Sequence, residues 1–596
     1  MFQFRNRLLL ASLSLLTFAA PGFLQAEESF PPEGWQERPD PLASPDAMPG
    51  GTISVYVGDY PKSFNYYLDN NVISSLIFNL MYPTLLEVDG VSKEFIPGIC
   101  NRWTIGDDKQ TFTFHIDPRA KWSDGKPMTA EDIVWTFDTI LDDKNLTGVH
   151  KVGLETFERP EIIDQSTVRF KAKEVHWRNL LVLATFNVMP KHAFAKQDFN
   201  LINFEFPVVG GAYKIGELAE SRYLRMQRRA DWWGFKRASN EGVLNFNTIE
   251  LRFFPDREQA FDAFNKGQID LFQVYTSARW VRQTQGEPYD KNWIAKQQIY
   301  NYDPIGFQGF AMNLRRAPFD DVRVRKALAH LLDREKMNET IMYNQYFLHS
   351  SYFEDLYDRT KKSPNPQFAF DKAKARKLLE EAGWKVNKQT GILEKNGRPF
   401  EIIFLTRDAS TDKFLVIYQE DLKDVGIRLK IERKDWAAWL KDMDDFNFDM
   451  TWASWGASLW RDPEGMWHSK EAERTGGNNV TGFADDRVDE LIEKQKTIFD
   501  IEQRDEIVRE IDQIVTSEVP YVLLWNIDYT RLLYWNKFGM PDTVLSKFGD
   551  GNAAISYWWY DDYAAADLQQ ARKTGRALPG KDFQVRFDDW YEGEEE

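Results

Sequence analysis

Apolar and polar side chains alternate along several short segments in the first half of the chain. Residues 52–57 (TISVYV) and 111–116 (TFTFHI) are rich in β-branched and aromatic side chains and alternate in polarity, which predicts two strands. Asp89-Gly90 lies between two apolar runs and predicts a hairpin. A helix is predicted from Thr129, which opens a capping-box-like pattern before an amphipathic segment.

Strands and helices are predicted to alternate between residues 400 and 453. The predicted strands cover 400–405, 427–431 and 448–453, and the predicted helices cover 411–425 and 435–443. This order is typical of a parallel α/β sheet. Because such sheets place their binding crevice at the carboxyl ends of the strands, the segment after Ala453 is a candidate binding site.

The first 26 residues have the pattern of a cleavable signal peptide. Arg5 and Arg7 precede an apolar run over 8–20, and Ala26 is the expected last residue before cleavage. The run is shorter than the roughly 20 residues that span a bilayer. Cys100 is the single cysteine, so the cleavage region offers no acceptor for lipid attachment and no internal disulfide can form. We therefore expect a soluble periplasmic protein.

Composition excludes some functions and favours others. The net charge of −17 argues against a nucleic-acid partner, because phosphate binding needs a basic surface. The 21 tryptophans suit a pocket that holds its ligand with flat, stiff side chains. The chain lacks a phosphate-binding P-loop, a G-x-G-x-x-G segment and paired histidines at zinc spacing. We predict no catalytic residues, no metal and no cofactor, and thus a protein that is not an enzyme.

Several stretches, in order along the chain, resemble the family 5 extracellular solute-binding proteins, the oligopeptide-binding group of ABC importers. The stretches are 120–137 (AKWSDGKPMTAEDIVWTF), 207–213, 256–270, 312–335, 381–384 and 483–489. Within this family the chain is most similar to the YejA-like branch, which is associated with peptides and the peptide antibiotic microcin C. The segments that suggest this branch are 343–353, 535–538 and 556–560.

The resemblance implies an α/β fold with two lobes, the type II periplasmic binding protein fold of the cluster C kind. Lobe I would comprise 27–309 and 526–596, and lobe II would be the inserted segment 310–525. The implied function is the periplasmic binding component of an ABC importer. A monomer would capture an oligopeptide or peptide-like solute between the lobes and deliver it to permease subunits in the inner membrane.

The candidate ligand-binding residues follow predicted strand ends or lie near the predicted hinge. They are Phe64, Asn65, Tyr275, Trp280, Asn313, Trp455, Ser458, Leu459, Trp460, Arg461 and Asp462. Peptide-binding relatives often carry an acidic residue three positions before an Asp-Pro pair, where it holds the peptide amine. Leu459 occupies that position here. Either Asp462 replaces the missing acid, or the ligand has no free amine there, as in a modified peptide, a cell-wall peptide or a glycan.

Two other functions stay open. Trp280, Trp455 and Trp460 as flat stacking surfaces would suit a receptor for an oligosaccharide or an opine-like solute. A secreted glycosidase or peptidase would need carboxylates such as Asp462 and Glu464 in catalytic roles.

Overall fold

The computed structural model describes residues 27–201, 204–358, 361 and 363–588. The predicted signal peptide, residues 1–26, lies outside the described residues. Within the described part of the chain, no helix has both the length and the apolar content needed to cross a bilayer.

The strands, in chain order, are β1 (Glu28–Phe30), β2 (Gly50–Gly58), β3 (Leu86–Val88), β4 (Phe95–Pro97), β5 (Cys100–Ile105), β6 (Thr111–Ile116), β7 (Glu161–Asp164), β8 (Thr167–Lys171), β9 (Tyr213–Ala219), β10 (Tyr223–Arg228), β11 (Phe246–Phe253), β12 (Leu271–Gln273), β13 (Ile294–Tyr300), β14 (Phe307–Met312), β15 (Phe347–Leu348), β16 (Lys385–Val386), β17 (Leu393–Lys395), β18 (Arg398–Pro399), β19 (Glu401–Thr406), β20 (Arg428–Arg433), β21 (Met450–Trp455), β22 (Tyr521–Leu523), β23 (Trp525–Asn526), β24 (Thr530–Trp535), β25 (Phe538–Gly539), β26 (Trp559–Tyr560) and β27 (Gln584–Arg586).

The α-helices are α1 (Val72–Met81), α2 (Ala130–Leu141), α3 (Gly148–Leu154), α4 (Arg178–Ala184), α5 (Lys191–Phe194), α6 (Arg257–Asn265), α7 (Ser277–Arg282), α8 (Glu287–Asp290), α9 (Val322–His330), α10 (Arg334–Thr340), α11 (Lys372–Glu381), α12 (Asp412–Lys423), α13 (Trp436–Asp444), α14 (Glu464–Trp467), α15 (Asp486–Gln495), α16 (Ile501–Glu518), α17 (Ala553–Tyr557) and α18 (Asp562–Thr574).

Lobe I is built on a large mixed sheet that takes strands from both ends of the chain. Its order is β27-β13-β24-β12-β2-β11-β10-β9. β2 runs parallel to both β11 and β12. β24 returns from the distant carboxyl-terminal part and pairs antiparallel with β12 and β13. The chain after residue 530 therefore completes the sheet that residue 50 began.

A second, antiparallel sheet of lobe I has the order β1-β5-β6-β8-β7. The predicted strand at 111–116 is β6, whose Phe112 and Phe114 are buried against a core shared with the large sheet. The predicted helix is α2, which begins after a capping box at Thr129. The predicted hairpin at Asp89-Gly90 forms between β3 and β4, with a longer turn because the second strand starts only at Phe95.

Lobe II is built on a five-stranded sheet in the order β20-β19-β21-β14-β22. β19 runs parallel to β20 and β21, as the strand–helix alternation predicted. The prediction of a parallel sheet is nevertheless incomplete, because β14 runs antiparallel to both β21 and β22. β14 is the first strand after the chain enters lobe II, and β22 is near the point where the chain leaves lobe II. The directions of both strands follow from these positions. β14 begins at Phe307, three residues before the expected lobe boundary.

Asp512 on α16 organises one side of lobe II. Its carboxylate is fully buried and accepts hydrogen bonds from five groups, which are the Ser351 hydroxyl (2.7 Å), the Tyr352 backbone N–H (2.9 Å), the Tyr357 hydroxyl (2.8 Å), the Asn365 amide (2.6 Å) and the Thr516 hydroxyl (3.4 Å). Burial raises the pKa of Asp512, and these hydrogen bonds oppose that rise.

We expect Asp512→Ala to destabilise lobe II by about 3–5 kcal/mol, because it leaves several buried donors without an acceptor. The measurement is the midpoint of urea-induced unfolding. Glu510→Ala, at an exposed position on the same helix, is the matched control and should change the midpoint little. Equal midpoints for the two variants would contradict this role of Asp512.

Candidate functional site

Two neighbouring segments join the lobes, one between β13 and β14 and the other between β23 and β24. The carboxyl end of β21 lies against the first of them. The Asn526 amide donates to the Gly306 carbonyl at 2.7 Å, which ties the two segments together. A Cβ atom at Gly306 would lie 2.0 Å from the Trp455 carbonyl oxygen, so this close approach requires glycine. The last residue of β21 is thus held directly at the hinge.

The loop that follows β21 reaches across to lobe I. Trp460 stacks on Phe95 of β4, with ring centroids 5.9 Å apart and an angle of 5° between the rings. Arg461 holds the loop to its own lobe through Asp355 (2.6 Å) and Asp505 (3.0 Å). The structure therefore shows the lobes in contact through an aromatic pair whose loop is fixed by ion pairs.

A second set of contacts, which we name the clasp, joins the lobes beside this loop. It consists of His176, Trp177 and Arg178 on lobe I and Asp462, Glu464, Gln495, Lys496 and Arg504 on lobe II.

The clasp combines an ion pair with a buried indole. Arg178 lies 2.8 Å from an Asp462 oxygen and 3.4 Å from a Glu464 oxygen. The Trp177 indole N–H donates to Gln495 at 2.7 Å, and the Arg504 guanidinium lies 4.3 Å from the centre of the Trp177 ring. Since Trp177 and Gln495 are both buried, the clasp excludes water as well as pairing charges.

Glu464 is the most heavily compensated carboxylate of the clasp. It is bound by Lys470 and by Lys496 (2.9 Å), in addition to Arg178. Burial alone would raise the pKa of Glu464, but the nearby His176 imidazole and the ammonium groups of Lys470 and Lys496 outweigh burial and hold that pKa well below its ordinary value.

The clasp also contains the one set of side chains with metal-ligand spacing among the described residues. Ligand atoms of His176, Asp462 and Glu464 all lie within 4.8 Å of one another. Three side-chain cations already neutralise the two carboxylates, so a metal ion would have to displace them. The donor set therefore fits an ion-pair network better than a metal site.

A cavity of about 1780 Å³ lies within lobe I, next to the contact with lobe II. Its lining residues all precede residue 303 or follow residue 546. The β3–β4 hairpin forms one wall: Glu87 and Ile96 line the cavity, while Phe95 of the same hairpin stacks on Trp460. Lobe II thus rests on the wall of the cavity.

One carboxylate in the cavity wall has no direct hydrogen-bond or ion-pair partner among the described residues. No hydrogen-bond donor or cation from the described residues pairs with Glu87. Burial raises the pKa of Glu87, the positive charge of Arg237 opposes that rise, and the negative charges of Glu37 and Asp40 add to it. Asp40, by contrast, accepts a hydrogen bond from the Tyr557 hydroxyl at 2.9 Å. This part of the cavity is a negative environment suited to a positively charged group.

Comparison with known proteins decides the family. Residues 94–477 match the model of the bacterial extracellular solute-binding proteins, family 5. The chain belongs to this family.

Its relatives place it in the YejA-like branch. It is 28% identical to the probable peptide-binding protein YejA of Agrobacterium fabrum, over 76% of this chain and 80% of that protein. It is 26% identical to the peptidoglycan-binding protein YepA of the same organism, over 87% and 92%. The oligopeptide-binding protein AppA of Bacillus subtilis, solved with a nonapeptide, superposes with a TM-score of 0.69 at 22% identity, over 87% of this chain and 100% of that one.

Family 5 members are periplasmic binding proteins, and the fold is their two-lobed α/β fold. The predicted family and fold class are confirmed.

The structure separates the predicted site residues into two groups. Phe64, Asn65, Trp280 and Asn313 are each no more than 2% exposed, so a ligand cannot touch them in this conformation. Asn313 instead donates to the carbonyls of Phe446 and Phe448, which pins the start of lobe II.

The other predicted residues are accessible or lie between the lobes. Tyr275 is 53% exposed, with the Arg257 guanidinium 4.2 Å from its ring centre. The rest follow one another along the β21 strand end and loop, namely Trp455, Ser458, Leu459, Trp460, Arg461 and Asp462. Asp462 is paired with Arg178 across the lobes, so its carboxylate already has a cation.

Sequence reasoning missed Glu87 and the lobe I half of the clasp. Glu87 carried a usable signal, because it interrupts the apolar run Leu85-Leu86-Glu87-Val88 beside a predicted hairpin. The clasp residues on lobe I had no such signal, since their partners lie 284 or more positions away along the chain.

We expect Arg178→Ala to raise the ratio of open to closed molecules about tenfold, because losing one partly buried ion pair of the clasp costs about 1–2 kcal/mol of closure. Small-angle X-ray scattering without ligand should show a larger radius of gyration. Arg159→Ala, which removes an exposed ion pair with Asp138, is the control. A radius equal to that of wild type for Arg178→Ala would show that the clasp does not hold the lobes.

Asp303, in the first crossing, makes stability depend on pH. Burial, and then the charge of Asp550, raise the pKa of Asp303 to about 7. The folded state therefore binds more protons than the unfolded state between about pH 4 and 7, and stability falls as pH rises through that range. We expect Asp303→Asn to be about 1–2 kcal/mol more stable than wild type at pH 8 and nearly equal at pH 4, after allowance for solvent screening.

Thermal unfolding of Asp303→Asn at both pH values measures this difference. Asp542→Asn, at an exposed position, is the control. A stability difference that is the same at pH 4 and pH 8 would contradict the raised pKa.

Proposed function

We propose that this protein captures an oligopeptide or peptide-like solute in the periplasm and delivers it to the permease of an ABC importer. The observation that carries the proposal is the 1780 Å³ cavity whose β3–β4 wall is covered by the loop of lobe II. Typical small-molecule pockets measure roughly 300–1,000 Å³. A larger space favours a ligand built from several units.

Closure of the lobes is coupled to this cavity through one hairpin. Phe95 stacks on Trp460 of lobe II, and Glu87 and Ile96 face the cavity from the same two strands. A ligand that orders the hairpin therefore also orders the surface on which lobe II docks. Such a ligand has a higher affinity for the closed form, which is the condition for shifting the equilibrium towards closure.

Glu87 supplies the amine recognition that the loop of lobe II lacks. Leu459 stands where peptide-binding relatives often have an acid, and Asp462 is occupied by Arg178. Glu87 has no partner among the described residues and lies in a negative part of the cavity. A ligand ammonium group would both neutralise this carboxylate and satisfy its hydrogen-bonding capacity.

The relatives support a peptide-like ligand and a role without chemistry. YejA of Agrobacterium fabrum is named as a probable peptide-binding protein, YepA as a peptidoglycan-binding protein, and AppA was solved with a nonapeptide. We infer that this chain is likewise a receptor and not an enzyme, that it acts as a monomer, and that it is exported by its amino-terminal segment.

The first experiment identifies the natural ligand. Protein purified from the periplasm without denaturant is unfolded, and the released molecules are analysed by mass spectrometry. We expect short peptides or peptide-bearing cell-wall fragments. Release of peptide-free sugars alone would instead support the carbohydrate receptor.

We expect Glu87→Gln to weaken binding of a free-amine peptide about tenfold and to leave binding of the same peptide with an acetylated amine unchanged. The reason is the loss of one charge-assisted hydrogen bond of about 1.5–3 kcal/mol. Isothermal titration calorimetry measures both affinities.

For the wild type, affinity for the free-amine peptide should rise with pH across the acidic range, because the raised pKa keeps Glu87 partly protonated there.

Glu335→Gln, at an exposed position on lobe II, is the matched control for the loss of one negative charge. Equal affinities of Glu87→Gln for the two peptides, with no loss relative to wild type, would place the amine elsewhere.

A further inference from the structure

An exposed pair of stacked tryptophans lies on α13 of lobe II. Trp436 and Trp439 have ring centroids 5.4 Å apart with 22° between the rings. Their i, i+3 spacing puts both on one face of the helix. Trp436 is 54% exposed, although most tryptophans of the described chain are buried or half-buried. An exposed aromatic surface of this kind is typical of a binding site.

The side chains of the two tryptophans have different environments. Trp439 is anchored, because its indole N–H donates to the Thr451 hydroxyl of β21 at 3.3 Å. Trp436 begins the helix, directly after the capping residue Asp435, and projects into solvent. The inner ring thus fixes the orientation of the outer ring, and 54% of the Trp436 side chain remains exposed to a ligand.

Arg407 lies over the same pair. Its guanidinium carbon is 4.3 Å from the centre of the Trp436 ring and 5.0 Å from that of Trp439. Arg407 is exposed, and none of the carbonyls or carboxylates that the structure describes accepts a hydrogen bond from it. The group therefore offers a flat apolar surface beside a set of unused hydrogen-bond donors.

The chain topology places this group at the binding edge of lobe II. Arg407 directly follows β19, and Trp436 is the third residue after the end of β20. Both strands run parallel to β21, whose carboxyl end carries the loop that meets lobe I. The carboxyl ends of parallel strands share one edge. With neighbouring strands about 4.8 Å apart, the group lies roughly 10 Å along this edge from the β21 loop, on the side away from the hinge.

We propose that Arg407, Trp436 and Trp439 form a subsite that binds a sugar ring of the ligand. A sugar presents an apolar face of C–H groups that can stack on Trp436, and it carries hydroxyl, acetamido or carboxylate oxygens around its rim that can accept from Arg407. The ring of an aromatic amino acid would satisfy the stacking surface but not these donors. The subsite rests on the proposed function, since it assigns one part of the same peptide-like ligand to lobe II.

The test compares two probes that differ only in the sugar. One is a cell-wall fragment with an N-acetylglucosamine–N-acetylmuramic acid disaccharide on a short peptide, and the other is the same peptide alone. For the wild type we expect the sugar-bearing probe to bind at least tenfold more tightly in calorimetry. Trp436→Ala should remove this advantage and bind both probes with the affinity of the peptide alone, and Arg407→Gln should reduce the advantage about threefold.

Tyr563→Ala is the matched control, because Tyr563 is an aromatic residue 90% exposed on α18 of lobe I. Trp436→Ala removes an exposed side chain and should unfold within a few degrees of wild type, which separates loss of the subsite from loss of the fold. Equal wild-type affinities for the two probes, or an unchanged advantage in Trp436→Ala, overturn the subsite and leave the peptide receptor intact. Absence of binding of either probe overturns the subsite and contradicts the proposed function as well.

Discussion

The chain crosses from lobe I to lobe II and back through two adjacent segments, and this double crossing is the constraint on which the rest of the structure depends. It requires glycine at position 306, where the backbone passes the Trp455 carbonyl without room for a side chain. It makes β14 run against β21 and β22. It also turns the carboxyl end of β21 towards lobe I, so that the loop after Trp455 is the part of lobe II that meets the β3–β4 hairpin.

The two lobes meet through groups whose charges are almost fully compensated, whereas the cavity behind the hairpin is not. Glu464 in the clasp has three cationic partners, and its pKa is held low. Glu87 in the cavity forms no ion pair among the described residues, and burial raises its pKa more than the charge of Arg237 lowers it. A compensated contact can hold two protein surfaces together without a ligand. An uncompensated carboxylate in a large cavity is instead suited to a charge that arrives with the ligand.

Local patterns predicted the elements that local physics controls. The alternation at 111–116, the capping box at Thr129 and the strand–helix order over 400–453 all correspond to elements within one or two residues. The positions of the candidate site residues depended more on the tertiary structure. The loop after β21 lies at the lobe contact, but Phe64, Asn65, Trp280 and Asn313 are buried, because a strand end is known from sequence only as a position and not as a surface.

The sequence by itself determined the family and the two-lobed α/β class, and it pointed to the edge of lobe II as the candidate binding edge, because ordered motifs and hydrophobic periodicity are properties of short segments. Only the tertiary structure decided which side chains share that edge and which are already engaged. Arg178 reaches Asp462 across 284 positions, and Trp436 lies beside Arg407 only because β19 and β20 are neighbours in the sheet. Such pairings depend on how the lobes and strands are arranged in space, and no local pattern of residues encodes that arrangement.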